Sequence, residues 1–436
     1  MQIGPDIHLT YCTNIHPGDD WEQVRVSLAE YGPRLKTHVS PHSPFGIGLR
    51  LSNLASEELL AGNRLQDFQE QLSHDGLYVF TVNGFPYGSF HRTEVKDLVH
   101  APDWQTPERG DYTIRLARIL AALLPEDIME GSISTSPLSY KPWVAGVPPS
   151  LKLRRASECP AFAKATGDER DSVFRACVVQ LVRVVQALME IESATGKRIH
   201  VDLEPEPDGL LETADEVCAF FRDHVLLAGA VALCDAAGVS EHEARQLLLR
   251  HIGVCLDTCH LALEYETPRE FVAKMEAMGI RIGKVQISSA LQVPLAHGEK
   301  NNGLAREAVP QVLAPYVEST YLHQVIQQNA DGSLARYRDL PEALGCLDEC
   351  AREWRVHFHV PVFTDSCGAF STTQQTILDT FALLEEKTFS SHWEIETYTW
   401  EVLPAALKAD LTESIVREFT WTLSKLPQRM TEGETR

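Results

Sequence analysis

A chain of 436 residues, 44% apolar and 23% charged, has an ordinary globular composition and enough length to bury a large core. Its 39 Lys and Arg against 61 Asp and Glu leave a formal net charge of −22. A surface that acidic repels phosphate backbones and anionic membranes, which argues against nucleic acid as a partner but leaves small sugars and polyols open.

The opening Met1-Gln-Ile-Gly-Pro5 lacks the basic start and apolar core of a signal peptide. No run approaches the roughly 18 apolar residues of a membrane span, and the ten scattered cysteines read as reduced thiols. A cytoplasmic protein without a transmembrane segment is therefore expected. Short extended runs are predicted at 7–12, 45–51, 76–82, 131–135, 198–203, 252–256, 281–287 and 392–397. Amphipathic stretches at helical spacing alternate with them, at 21–35, 56–72, 111–124, 173–195, 213–237, 268–278, 374–385 and 404–426. Eight such strands with helical connections predict a closed parallel (β/α)8 TIM barrel. An open doubly wound sheet would carry a Gly-rich phosphate turn after its first strand, where this chain reads Thr13-Asn-Ile-His-Pro-Gly18. One segment departs from the alternation: an extended run ends at Ile326, Asp331-Gly332 makes a turn, and a second run follows at 334–338. Residues 318–365 are thus expected as an enlarged loop between strands seven and eight of one barrel spanning 1–427. A polar tail, 428–436, follows.

In such a barrel the chemistry sits where the C-terminal ends of the strands meet. The first strand runs into Asn14 and His16, and the third into Asn83, with Tyr87 and His91 beyond. The fifth delivers Glu204 and Glu206, and alternation turns His200, Asp202 and Glu204 to one face. The sixth ends in Asp257 and, three residues on, His260. A hard oxygen donor beside a borderline nitrogen donor is half of a divalent-metal site, although an aspartate there also caps the next helix. The seventh carries Gln286 and Ser288 on one face, and the eighth Glu394 and Glu396. Several carboxylates aimed into one mouth need a cation, because an unpartnered buried charge costs about 3–5 kcal/mol, and only Lys284 stands on these strands as an obvious partner. His357-Phe-His359 places two imidazoles on one face, either as an exposed pair or as further ligands or a proton shuttle. Mixed oxygen and nitrogen donors suit Mn, Zn, Mg or Fe(II). Cys255/Cys259 and Cys346/Cys350 also have metal-compatible spacings, but the second pair falls on a predicted helix at 340–354 and reads as packing.

Leu256-Asp-Thr-Cys-His260, following Glu204 and preceding Glu396-Thr397, resembles the metal-binding strands of the superfamily that includes xylose isomerase, ketose epimerases and endonuclease IV. The whole chain is more similar still to the bacterial EboE family of metabolite traffic proteins. That likeness rests on His8-Leu-Thr-Tyr-Cys-Thr-Asn-Ile-His-Pro-Gly18, Val82-Asn-Gly-Phe-Pro-Tyr-Gly88, Gly131-Ser-Ile-Ser-Thr135, Leu203-Glu-Pro-Glu-Pro207 and Glu396-Thr-Tyr-Thr-Trp400. The resemblance implies a xylose isomerase-like barrel, a role in making or handling a secondary-metabolite precursor, and a functional link to a membrane prenyltransferase-like protein. It also implies metal ligation by Glu204, Asp257, His260 and Glu396, with His357 and His359 where the nuclease branch has an acid-x-His pair. The seventh-strand ligand of the superfamily is usually His; here Gln286 stands there, a weaker ligand suited to harder ions or a group that bonds a substrate hydroxyl.

Three functions follow from this reading. The first is isomerisation or epimerisation of a sugar-like or cyclitol-like molecule, with Glu204 and Glu396 exchanging a proton. Asn14, His16, Asn83, Tyr87, His91, Glu206, Gln286, Ser288 and Glu394 would orient it, and Phe85, Tyr87 and Trp143 would stack on it. The second is hydrolysis of a small phosphoester by a multi-metal cluster. The third is a barrel that binds a metabolite without turning it over.

Overall fold

The protein is described by a computed structural model covering residues 1–91, 95–144, 167–296, 303–367, 369–403 and 409–427. All eight expected runs are strands: Ile7–Tyr11, Phe45–Arg50, Leu77–Asn83, Glu130–Thr135, Arg198–Leu203, Ile252–Asp257, Ile282–Ile287 and His392–Ile395. They are called here the first to the eighth barrel strands. Neighbours are parallel and follow chain order around the sheet, with the eighth strand beside the first. An isolated parallel bridge, Cys12 to Gly48, joins the first strand to the second and closes the ring. The fold is a (β/α)8 barrel, with Gln2–Gly4 added antiparallel outside the first strand.

Between the seventh and eighth strands lies a second, antiparallel sheet of six strands. Val325–Asn329 and Leu334–Tyr337 form its hairpin around Asp331-Gly332, where Gly332 takes φ +85°. Ala351–Val356 pairs with Val325–Asn329 on one side and Leu291–Pro294 on the other. The helix expected over 340–354 stops at Gly345, because Asp348 turns the chain by accepting from the N–H groups of Cys350 and Ala351 at 2.9 and 3.0 Å. Cys350 is consequently exposed, not packed. Two helices, Glu169–Thr195 and Ala214–Ala237, are long and apolar enough on average to cross a membrane by length and composition, although polar residues interrupt both. In this fold half of the first helix's most apolar window is buried. Residues 404–408 of the expected last helix, Cys159 and the 428–436 tail lie outside the described residues.

TIM-barrel interiors are usually filled with branched apolar side chains; this one is polar, and its period-2 strands stack it in layers. At the bottom, His8 bonds Tyr78 Oη at 2.9 Å, and His392 Nδ1 lies 2.8 Å from Ser132 Oγ. His200 lies 2.9 Å from Asp202 and 3.3 Å from Glu130. Burial opposes a charge on His200, but the two carboxylates outweigh it and raise it to about 9. One layer up, Lys284 Nζ meets Glu394 Oε1 at 2.6 Å and Ser134 Oγ at 3.2 Å, all fully buried.

Glycine makes room for this ion pair. A Cβ on Gly48 would sit 1.8 Å from Glu394 Oε2, and one on Gly283 would sit 2.0 Å from Asp202 Oδ1. Gly48→Ala should therefore push Glu394 off Lys284 and cost about 3–5 kcal/mol, as expected for breaking a buried pair. Gly88→Ala, where an added methyl meets nothing within 4 Å, should stay within about 0.5 kcal/mol of the parent. Urea denaturation of the two variants measures both.

Candidate metal centre

The sixth strand ends at Asp257, whose two oxygens have separate tasks. Oδ1 caps the short helix Thr258–Leu263, accepting from Cys259 N at 2.7 Å and His260 N at 2.9 Å, and Ser288 Oγ donates to it at 2.7 Å. Oδ2 is buried without a hydrogen-bond partner. The cap locks the carboxylate and leaves its other oxygen open. Ligand atoms of Glu204, Asp257 and Glu396 all lie within 4.8 Å of one another. Glu396 is held at Oε1 by Asn14 Nδ2 at 2.7 Å and Asn83 Nδ2 at 2.9 Å.

Nitrogen donors face this group from the other side. Asp257, His260 and His359 form a second cluster within 4.8 Å, and Glu206, His260 and His357 a third. The protons on two of these imidazoles are fixed by their neighbours. His359 Nδ1 donates to the carbonyl of Glu396 at 2.8 Å, which leaves Nε2 bare and without a partner. Gln324 Nε2 donates to the carbonyl of Pro207 at 3.2 Å, so its Oε1 faces His357 Nδ1 at 2.8 Å and accepts from it. His357 Nε2 then carries no proton and has His260 Nε2 as its hydrogen-bond partner at 3.1 Å. A backbone or amide oxygen on one ring nitrogen and a bare lone pair on the other is the arrangement of a ligating histidine.

The electrostatics agree. Burial, then the neighbouring Glu396 and Asp257, push Glu204 well above the usual carboxylate range. Burial, then Asp257 and Glu394, do the same to Glu396, and burial and Asp257 to Glu206. Burial pulls His260 and His357 well below the usual imidazole range, so both are neutral. Among the described residues, the barrel interior offers Lys284 as its ammonium, and Glu394 holds it one layer below. Orphaned carboxylate oxygens and bare imidazole nitrogens converging in one buried place fit a divalent cation.

The structure brings Glu204, Glu206, Asp257, His260, His357, His359 and Glu396 together, with Asn14 and Asn83 behind Glu396. Gln286 is paired in register with Asp257, but its Oε1 accepts from the Cys255 thiol at 3.2 Å. Ser288 positions Asp257, and Glu394 serves the ion pair below. His16, Tyr87, His91 and Trp143 are engaged elsewhere. His16 stacks on Tyr31 with centroids 4.2 Å apart and meets Tyr11 Oη at 2.9 Å, because the turn after the first strand folds back onto the first helix. Tyr87 packs edge-on against Tyr112, and His91 edge-on against Phe90. Trp143 Nε1 donates to Asp97 at 3.0 Å. Sequence reasoning missed Gln324, which orients His357, and His100, whose Nε2 lies 3.5 Å from Glu206 while its ring stacks on Tyr140. Gln324 gives no signal in the sequence, since only the pairing of the inserted sheet puts it beside His357.

No family model and no curated protein matches this chain. Among solved structures it is similar to a xylose isomerase-like TIM barrel protein from Mycobacterium smegmatis in complex with magnesium. That match has a TM-score of 0.47 and 11% identity, over 98% of this chain and 97% of that one. The IolI protein with a binding zinc atom gives 0.39 and 9%, over 99% and 100%. The probable 3-DHS dehydratase AsbF from Bacillus anthracis gives 0.39 and 9%, over 95% and 98%. It is the strand order and register described above that establish the barrel.

Metal binding should displace protons from the raised carboxyls, so affinity should rise with pH. In the metal-free protein, a carboxyl raised in the folded state stabilises it at low pH, and this contribution is lost as pH climbs through the raised value. The thermal shift given by Mn(II) or Zn(II) should therefore grow from pH 6 to pH 8. Melting curves with chelator and with metal at each pH check this. Asp257→Asn should lower the metal retained through purification by at least tenfold, read by elemental analysis.

Proposed function

We propose that this chain is a divalent-metal-dependent barrel enzyme that moves a proton on a small hydroxylated carbonyl compound, as sugar isomerases and epimerases do. The observation that carries the reading is the meeting of Glu204, Asp257 and Glu396 within 4.8 Å at the barrel mouth, apart from the Lys284–Glu394 pair. A bound divalent ion would polarise adjacent carbonyl and hydroxyl oxygens and acidify the C–H between them. Glu204, with Oε2 unpartnered and its proton affinity raised by burial, would take that proton. Glu396, fixed by Asn14 and Asn83, would return a proton from a second direction. The motif likeness to the EboE family supports a cytoplasmic role in handling a secondary-metabolite precursor, beside a membrane prenyltransferase-like protein.

A second reading, hydrolysis of a small phosphoester, is favoured by one observation. The clusters around His260, His357 and His359 adjoin the carboxylates and extend the donor set beyond the needs of one ion. Elemental analysis separates the two readings: one ion per chain supports proton transfer, and two or more support hydrolysis.

Metal-loaded protein incubated in heavy water with small ketoses, aldoses and cyclitol ketones should put one deuterium on the carbon beside the carbonyl of its substrate, read by mass spectrometry. Glu396→Gln and Glu204→Gln should each reduce that exchange at least 100-fold while changing ligand affinity by less than about tenfold. Release of inorganic phosphate from small phosphoesters, without exchange, would favour the second reading.

A further inference from the structure

A cavity of about 70 Å³ lies above the carboxylates, and its walls are unlike its floor. Phe85, Phe90, Val99, Tyr321 and Tyr398 line the walls. Phe90, Tyr321 and Tyr398 form an aromatic triangle, with centroids 5.1 to 5.4 Å apart. The amide and ammonium donors that line the cavity are engaged by protein oxygens. Asn14 and Asn83 donate to Glu396, Gln324 to Pro207, and Lys96 to Asp339 at 2.7 Å. The buried polar atoms left over are the acceptors Glu204 Oε2, Glu206 Oε1, Asn14 Oδ1 and His359 Nε2, together with Nδ1 of His100 and of His260.

This asymmetry bears on substrate class. A free sugar carries a hydroxyl on nearly every carbon, and each one pressed against phenyl and valyl walls would lose its water without gaining a partner, at about 1–3 kcal/mol apiece. A molecule with its oxygens gathered at one end meets the acceptors and any ion there, and its body gains by burial against the aromatic walls.

We infer that the substrate is amphiphilic, with two or three oxygens at the end that faces Glu204 and Glu396 and an apolar aliphatic or aromatic body between Phe90, Tyr321 and Tyr398. This rests on the proposed role of the carboxylate floor as the reacting end, and it narrows the substrate from a bare sugar.

The test uses the full chain, metal-loaded, with 1,2-alkanediols from propanediol to decanediol as probes and xylose and myo-inositol as uniformly polar comparators. Calorimetry should show one site per chain, with affinity rising about fourfold per methylene, the equivalent of about 0.8 kcal/mol. The rise should level off once the cavity is full. Xylose and inositol should bind at least tenfold more weakly than octanediol. Phe90→Ser and Tyr321→Ser should each flatten the chain-length dependence without changing metal content. Xylose or inositol binding as tightly as octanediol, or affinity indifferent to chain length in the parent protein, overturns the inference even if neither variant folds. Elemental analysis of the same samples keeps the two claims apart. A steep chain-length series without retained metal removes the metal chemistry and leaves this inference standing; retained metal with a flat series does the reverse.

Discussion

Lys284 and Glu394 meet at 2.6 Å in the middle of the barrel, on neighbouring strands and fully buried. Burial works against the ammonium, yet Glu394 more than compensates and raises its affinity for the proton. The charge of the pair is closed on itself, and glycine at 48 keeps space for it. Below it, His200 balances Asp202 and Glu130, which also binds Arg198 and Arg281. Every layer up to this height is neutralised from within. The next layer, with Glu204, Asp257 and Glu396, is not, and this is where the chain gathers its spare lone pairs.

That upper layer is built in two halves of different chemistry. Barrel strands supply oxygen, each carboxylate fastened at one atom and open at the other: Asp257 by its helix cap, and Glu396 by two asparagines. The segment following Ala351–Val356 supplies two imidazoles, each turned by an oxygen on its far nitrogen. Gln324 and the carbonyl of Glu396 thus act without touching the centre themselves, by deciding which nitrogen is bare. His323 adds a further support, donating to the His357 carbonyl at 2.8 Å and meeting Glu318 at 2.8 Å.

The strands were legible because each is a short apolar run bounded by polar turns, and period 2 alone put His200, Asp202 and Glu204 on one face. The same rule was insufficient for Glu394 and Glu396. Alternation gave them one face but not one depth: in the register with the seventh strand Glu394 pairs with Gln286, and the long Lys284 side chain, two residues earlier, reaches up to Glu394 and leaves Glu396 above it. Asp257 invited two readings, cap or ligand; the cap takes one oxygen and leaves the other without a partner. His16 and Tyr87 looked available after strand ends, but turn residues fold back on the nearest helix as easily as they reach inward. The helix expected over 340–354 failed at Gly345, where apolar spacing continued and backbone geometry did not. Pairing across the inserted sheet is non-local, so nothing in the neighbourhood of Gln324 announces its partner.

Because oxygen donors come from the barrel and two of the three nitrogen donors from a loop excursion, the two sets can vary independently through evolution. Exchanging His357 or His359 for a carboxylate or an amide would leave all eight staves and their internal charge balance intact. It would shift the preference of the centre from borderline ions such as zinc towards hard ones such as magnesium or manganese. In a scaffold built this way the donor set can change through substitutions confined to one short stretch, without refolding the architecture that carries the remaining donors.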